Sequence, residues 1–222
     1  MPFACAQAGH RVYSSFEYVT ARDGDTQTSS GALLYRPDTS LTIHVTSPLD
    51  QWMVFAGDTL LIYYPEENTG LKIPSLQGKV SLPIFQLVIN AGKEDLGLSA
   101  AGFELQESQM SGDTLVAVWQ PPAATRKVLG NFKATFVRDS VVSVVGLTPD
   151  GRETSRQEFS DYVRYEGQLF PRSVTVTQYG GEGETKETIR FAGVVFDAEA
   201  AADMERFSLP PDVVITIVPW QD

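Results

Sequence analysis

Apolar and polar residues alternate with a period near two along most of this chain, the pattern of strands that bury one face. Leu41, Ile43 and Val45 fall on one side and Thr42, His44 and Thr46 on the other. Phe132, Ala134 and Phe136 alternate with Lys133 and Thr135, and Val174 and Val176 with Ser173, Thr175 and Thr177. Turn chemistry separates the runs: Ala56-Gly57-Asp58, Pro149-Asp150-Gly151 and Gly180-Gly181-Glu182-Gly183 stand between apolar stretches, as hairpin loops do. Strands are expected at 31–36, 41–46, 51–56, 59–64, 71–74, 103–107, 114–119, 132–138, 141–147, 153–165, 171–179 and 186–197. Their spacing predicts one antiparallel meander.

Two segments depart from this rhythm. In "SLPIFQLVINAGKEDLGLSAAGF" the residues Ile84, Phe85, Val88 and Ile89 recur at helical spacing, after Pro83 at a first-turn position and before Gly92 as a stop. "DAEAAADMERFSLPP" reads as one helical turn closed by Pro210 and Pro211. With no repeat and no low-complexity linker, residues 9–222 are expected to form a single, mainly β domain of the α+β class. A large sheet must cover its apolar face, and here short helices are the available cover. Trp52, Val54, Leu60, Ile62, Tyr64, Trp119, Phe132, Phe136 and Phe191 can all face one side. Leu34, Ile43 and Val45, with Ile84, Phe85, Val88 and Ile89 from the helix, join Trp52, Val54, Leu60, Ile62, Trp119, Phe132 and Phe136 as candidates to line a cavity. They fit a solid core or a cavity for an apolar ligand.

The chain has 222 residues and a formal charge of −11, enough length to bury a core without staples. The acidic balance argues against nucleic acid, which is held by clustered Lys and Arg, and against a permanent seat on anionic lipid. No apolar run approaches the roughly 18 residues of a helical membrane span. At the amino terminus, Ala6-Gln7-Ala8 has the form of a signal-peptidase site, so residues 1–8 are expected to be a leader remnant. Cleavage there would remove Cys5, the one cysteine, which suits an oxidising compartment. Acylation of Cys5 is the other reading, against which Pro2 stands where leucine is usual.

Catalytic chemistry finds little support. His10 and His44 are far apart in sequence, no G-x-S-x-G elbow is present, and His44 falls on the polar side of its strand. Asp23-Gly24-Asp25 lacks the glutamate that completes a calcium loop and reads as a hairpin turn. Gly180-Gly181-Glu182-Gly183 is acidic and unsuited to phosphate, and two separated histidines without a cysteine pair make no zinc set. No enzyme activity, cofactor or metal is expected.

The stretch "SGALLYRPDTSLTIHVTSPLDQWMVFAGDTLLIYYPEENTG" supplies five ordered landmarks: Gly31, Arg36-Pro37, Ser47-Pro48, the hairpin Phe55-Ala56-Gly57-Asp58-Thr59-Leu60, and Tyr63-Tyr64-Pro65-Glu66. "LPIFQLVI" follows, and the chain closes with Phe196-Asp197 and Phe207-Ser208-Leu209-Pro210-Pro211-Asp212-Val213-Val214-Ile215. In this order the chain resembles the LolA family of periplasmic lipoprotein carriers, densely over 31–70 and 188–215. The resemblance implies an unclosed antiparallel β-barrel, a half-barrel whose apolar concave face lies under a short helical lid. It implies a monomeric, soluble periplasmic carrier that binds the acyl chains of lipoproteins. Cargo would come from an inner-membrane transporter and pass to an outer-membrane receptor. Arg36 would be the latch that bonds lid carbonyls. Family members begin with a long helix ahead of this region; with eleven residues before Val12, that helix is expected to be short or absent here. A more open groove also fits a carrier of another lipid, or a non-catalytic module that senses lipid or protein.

Overall fold

The computed structural model describes residues 10–36, 40–57, 59–74, 95–99, 101–181, 183–197 and 202–218. The expected lid helix with Ile84, Phe85, Val88 and Ile89, the leader with Cys5, and Pro37 lie outside the described residues. Fourteen strands form one sheet: β1 (Val12–Arg22), β2 (Asp25–Arg36), β3 (Ser40–Ser47), β4 (Gln51–Ala56), β5 (Thr59–Tyr64), β6 (Thr69–Ile73), β7 (Glu104–Ser111), β8 (Thr114–Gln120), β9 (Phe132–Val137), β10 (Ser140–Leu147), β11 (Glu153–Tyr165), β12 (Gln168–Gly180), β13 (Gly183–Phe196) and β14 (Val214–Ile217). The turn expected in the closing segment is the helix α1 (Ala202–Glu205). The fold is mainly β.

The strand order is β14-β6-β5-β4-β3-β2-β1-β13-β12-β11-β10-β9-β8-β7, so the sheet is unclosed and ends on β14 and β7. This corrects the single meander. Strands β1–β6 and β7–β13 each run as a meander, β1 lies beside β13, and β6 and β7, consecutive in sequence, are far apart in the order. The edge strand β14 pairs in parallel with β6, Ile215 opposite Gly70.

The first hairpin escaped the series because its pattern is weak. Asp23-Gly24 does form the expected turn, with positive φ at both residues. The flanking strand β1, however, places Ser14 in an inward slot between Val12 and Phe16. Ser14 is fully buried, and its hydroxyl donates to the carbonyl of Ala192 over 2.8 Å. A serine satisfied in this way breaks the apolar alternation that marks a strand. At the start of the apolar part of β2, Gly31 is needed for contact reasons: a Cβ there would stand 2.0 Å from the carbonyl oxygen of His44.

The chain divides into two compact units. Unit 1 comprises Met1–Glu17, Thr28–Ser81 and Phe191–Asp222; unit 2 comprises Tyr18–Gln27 and Leu82–Arg190. The core of unit 1 includes Val12, Phe16, Leu33, Leu34, Leu41, Ile43, Val45 and Phe55, all buried. Val141, Val144, Phe159, Phe170, Val174 and Ile189 are buried in unit 2. There the phenol of Tyr162 donates to the carbonyl of Val141, and burial pushes its pKa far up.

Candidate functional site

Directly opposed residues of an antiparallel pair project on the same face, so the registers of β2–β6 sort every side chain of unit 1. Leu33 opposes Ile43, Ile43 opposes Met53, Met53 opposes Ile62 and Ile62 opposes Leu71. The next row reads Tyr35, Leu41, Phe55, Leu60 and Ile73. Two rows, five strands wide, thus carry no charged or amide side chain. Val45 lies on this face as well. Leu33, Leu41, Ile43, Val45 and Phe55 are buried, whereas Met53, Leu60, Ile62, Leu71 and Ile73 are only half-buried. The strip toward β5 and β6 is therefore apolar yet incompletely covered.

The opposite face is mixed. Its rows read Ala32, His44, Trp52, Tyr63, Gly70 and Leu34, Thr42, Val54, Leu61, Lys72. The expected single apolar side is corrected here: Ile43, Val45, Leu60 and Ile62 share one face, while Leu34, Trp52 and Val54 occupy the other. The physical reason is the hairpin register that sets Phe55 opposite Leu60. It puts Trp52 and Val54 in phase with Tyr63 and Leu61, and a shift of one residue exchanges the faces.

On this mixed face the closing segment of the chain is seated. The ring of His44 stacks on Trp52 at 3.9 Å between centroids, and Phe207 stacks on the indole at 4.2 Å, nearly parallel. Tyr63 meets Phe207 at a tilt. Met204 of α1 packs on Leu34, 1 % exposed, beside Tyr13, Ala32 and Trp52. The side of β3 expected to be polar and wet is thus covered, with Thr42 buried and His44 stacked on Trp52. The imidazole donates from Nε2 to Asp50 at 2.8 Å. Polar ties fix both ends of the segment: Arg11 donates to Glu205 at 2.7 Å and through its backbone N–H to Asp197 at 3.0 Å. His10 also pairs with Asp197. The hydrogen bond from His10 is the largest cause that holds the Asp197 carboxyl below its usual range. At the far end Asn68 donates to the Asp212 carboxylate, and a Cβ on Gly70 would stand 2.7 Å from Cδ1 of Ile215. Neither Met204 nor Phe207 stood among the sequence candidates, although Phe207 opens the closing motif.

Arg36, the last residue of β2, opposes Ser40, which opposes Ala56. By register its side chain starts from the Trp52 face, not the Ile43 face. The lid residues it was expected to bond at 82–94 lie outside the described residues.

In unit 2 the candidates Trp119, Phe132 and Phe136 do share a face. One row reads Leu105, Trp119, Phe132 and Gly146, another Met110, Leu115, Phe136 and Val141. Phe103 adds a tilted ring contact to Phe132 at 5.2 Å. Between the rows lie the small residues Ser108, Ala117 and Ala134. Among the described residues no group of three His, Cys, Asp or Glu side chains is placed to hold a metal ion, and no helix is long and apolar enough to cross a membrane.

No protein-family model matches the sequence, and no curated protein does. Solved structures do match by shape. A DUF1329 family protein from Desulfovibrio piger superposes with a TM-score of 0.65 at 14 % identity, over 92 % of this chain and 93 % of that one. A LolA superfamily protein from Nitrosomonas europaea gives 0.57 at 12 % identity, over 87 % and 88 %. A domain from Vibrio parahaemolyticus, provisionally assigned to outer membrane lipoprotein sorting, gives 0.54 at 9 %, over 88 % and 92 %. Likeness at such identities speaks for fold alone, and on it the chain is built on the LolA-like fold.

Proposed function

We propose that this chain is a periplasmic carrier that holds acyl chains, those of a lipoprotein foremost, and performs no chemistry on them. The observation that carries this reading is the pair of apolar rows across β2–β6, half-buried toward β5 and β6. Each methylene removed from water contributes about 0.8 kcal/mol, so one long chain laid along such rows gains on the order of 10 kcal/mol before the costs of binding. Release to a receptor then requires that cover be opened, a matter of a few hydrogen bonds rather than a nucleotide or a metal. Arg36, the last residue of β2, is the proposed latch, donating to carbonyls of the lid. An inner-membrane donor and an outer-membrane receptor are the proposed partners of a single-domain monomer, with residues 1–8 as its leader remnant.

The test compares the two faces. Protein purified from membrane-containing cells should retain lipid in native mass spectrometry, and an apolar dye should bind and be displaced by long-chain lipids. Ile62→Asp places a charge on the apolar rows and should weaken both by about tenfold or more. Val54→Asp, on the mixed face of the adjacent strand, should leave both nearly unchanged. In the latch arm, Arg36→Leu should speed amide exchange in residues 82–99. Equal losses for the two aspartates, or a dye that binds only in denaturant, would remove the site.

A further inference from the structure

Edge strands of a sheet present unpaired backbone N–H and C=O groups, and proteins usually shorten or cover them. β14 is four residues long. β7, at the other end of the order, spans eight residues, Glu104–Ser111, every one of them exposed. It pairs with β8 on one side and, among the described residues, with no strand on the other. Its two faces differ in chemistry. Leu105 and Met110, 53 % and 66 % exposed, end the apolar rows that begin at Phe132 and Phe136. Glu104 and Glu107 project from the other face, opposite Gln120 and Val118.

We propose that β7 is a docking edge that accepts an extended segment of a partner protein, one in which apolar and basic residues alternate. A strand added beside β7 makes main-chain hydrogen bonds to the open edge, whatever its sequence, and its side chains select the partner. Residues that fall opposite Leu105 and Met110 continue two apolar rows. Residues that fall opposite Glu104 and Glu107 meet carboxylates, so Lys or Arg is favoured there and acid is rejected. Arg126 approaches Glu104 only to 3.8 Å and is itself well exposed, which leaves that carboxylate able to take a second cation. The same glutamates decide against a second copy of this chain. Self-pairing would bring both copies' Glu104 and Glu107 onto one seam, in a molecule of charge −11. The bulge between Leu105 and Glu107 adds local twist and sets Leu105 on the same face as Met110, with Glu104 and Glu107 on the other. This surface is separate from the apolar rows of unit 1 and stands whether or not those rows hold lipid.

The test uses end-capped synthetic peptides matching β7 in length. One alternates valine and lysine, one has the same composition in two blocks, and one alternates valine and glutamate. The first should bind saturably and slow amide exchange in Glu104–Ser111, and the other two should not. Reversing both charges, Glu104→Lys with Glu107→Lys, should weaken the valine–lysine peptide on the order of tenfold and give the valine–glutamate peptide a comparable gain. This exchange of preference shows that a variant has lost recognition and not its fold. Equal binding of the blocked peptide, or protection outside β7, would overturn the proposal, as would indifference to the charge reversal.

Discussion

The two ends of the sheet solve one physical problem in opposite ways. At β6 the chain supplies its own neighbour: β14 pairs in parallel, Phe207 stacks on Trp52, Met204 packs on Leu34, and polar ties at Asp197 and Asp212 hold the segment at both ends. At β7, which is longer, no strand among the described residues pairs with the outer edge. The edge left at β14 is only four residues long and offers foreign strands little to pair with. A long edge with one apolar and one acidic face selects among them.

The largest expected effect tests the closed end. Trp52→Ala removes the ring between His44 and Phe207 and should cost about 3 kcal/mol of unfolding free energy. Chemical denaturation measures the loss, and amide exchange in Val214–Ile217 should rise with it. If β14 stays protected, the aromatic stack is not what seats the closing segment. Acid gives a smaller and more local effect. The Asp197 carboxyl is held below its ordinary range chiefly by His10, so its ionised form is favoured in the folded chain. That contribution is complete above the ordinary aspartate value of about 4 and fades as pH falls through the lowered folded value. Exchange near Asp197 and α1 should therefore accelerate below about pH 4, and Asp197→Asn should be loose already at neutral pH. An unchanged acid profile in the variant would place the sensitivity elsewhere. The smallest effect belongs to the open end: Leu105→Thr or Met110→Thr should change stability by less than about 0.5 kcal/mol, since both are well exposed. A larger loss would mean that β7 is already covered.

Much of the fold is legible in the chain. The alternation at Leu41-Thr42-Ile43-His44-Val45 and at Phe132–Phe136 marks strands because one face of each is apolar, and Asp23-Gly24 marks a turn because both residues tolerate positive φ. The first strand is less legible, since a buried Ser14 paired to a backbone carbonyl looks in sequence like a solvent-facing residue. β7 extends past the expected end at residue 107 to Ser111, because a strand exposed on both faces leaves no burial pattern to read. The candidate site divides in the same way. Ile43, Val45, Leu60 and Ile62 share one face and Leu34, Trp52 and Val54 the other, a division that hairpin phase decides and that is invisible until the strands are paired.

The sequence by itself determined what depends on neighbours along the chain: strand period, turn positions, the acidic balance, and the ordered landmarks from Gly31 to Val214. Tertiary structure alone decided that β1 lies beside β13, that β6 and β7 stand far apart in the order, that β14 runs parallel to β6, and which of two apolar groups shares a face. Those outcomes depend on pairing between segments distant in sequence, in which one residue of register reverses every side chain, and no local pattern encodes that choice.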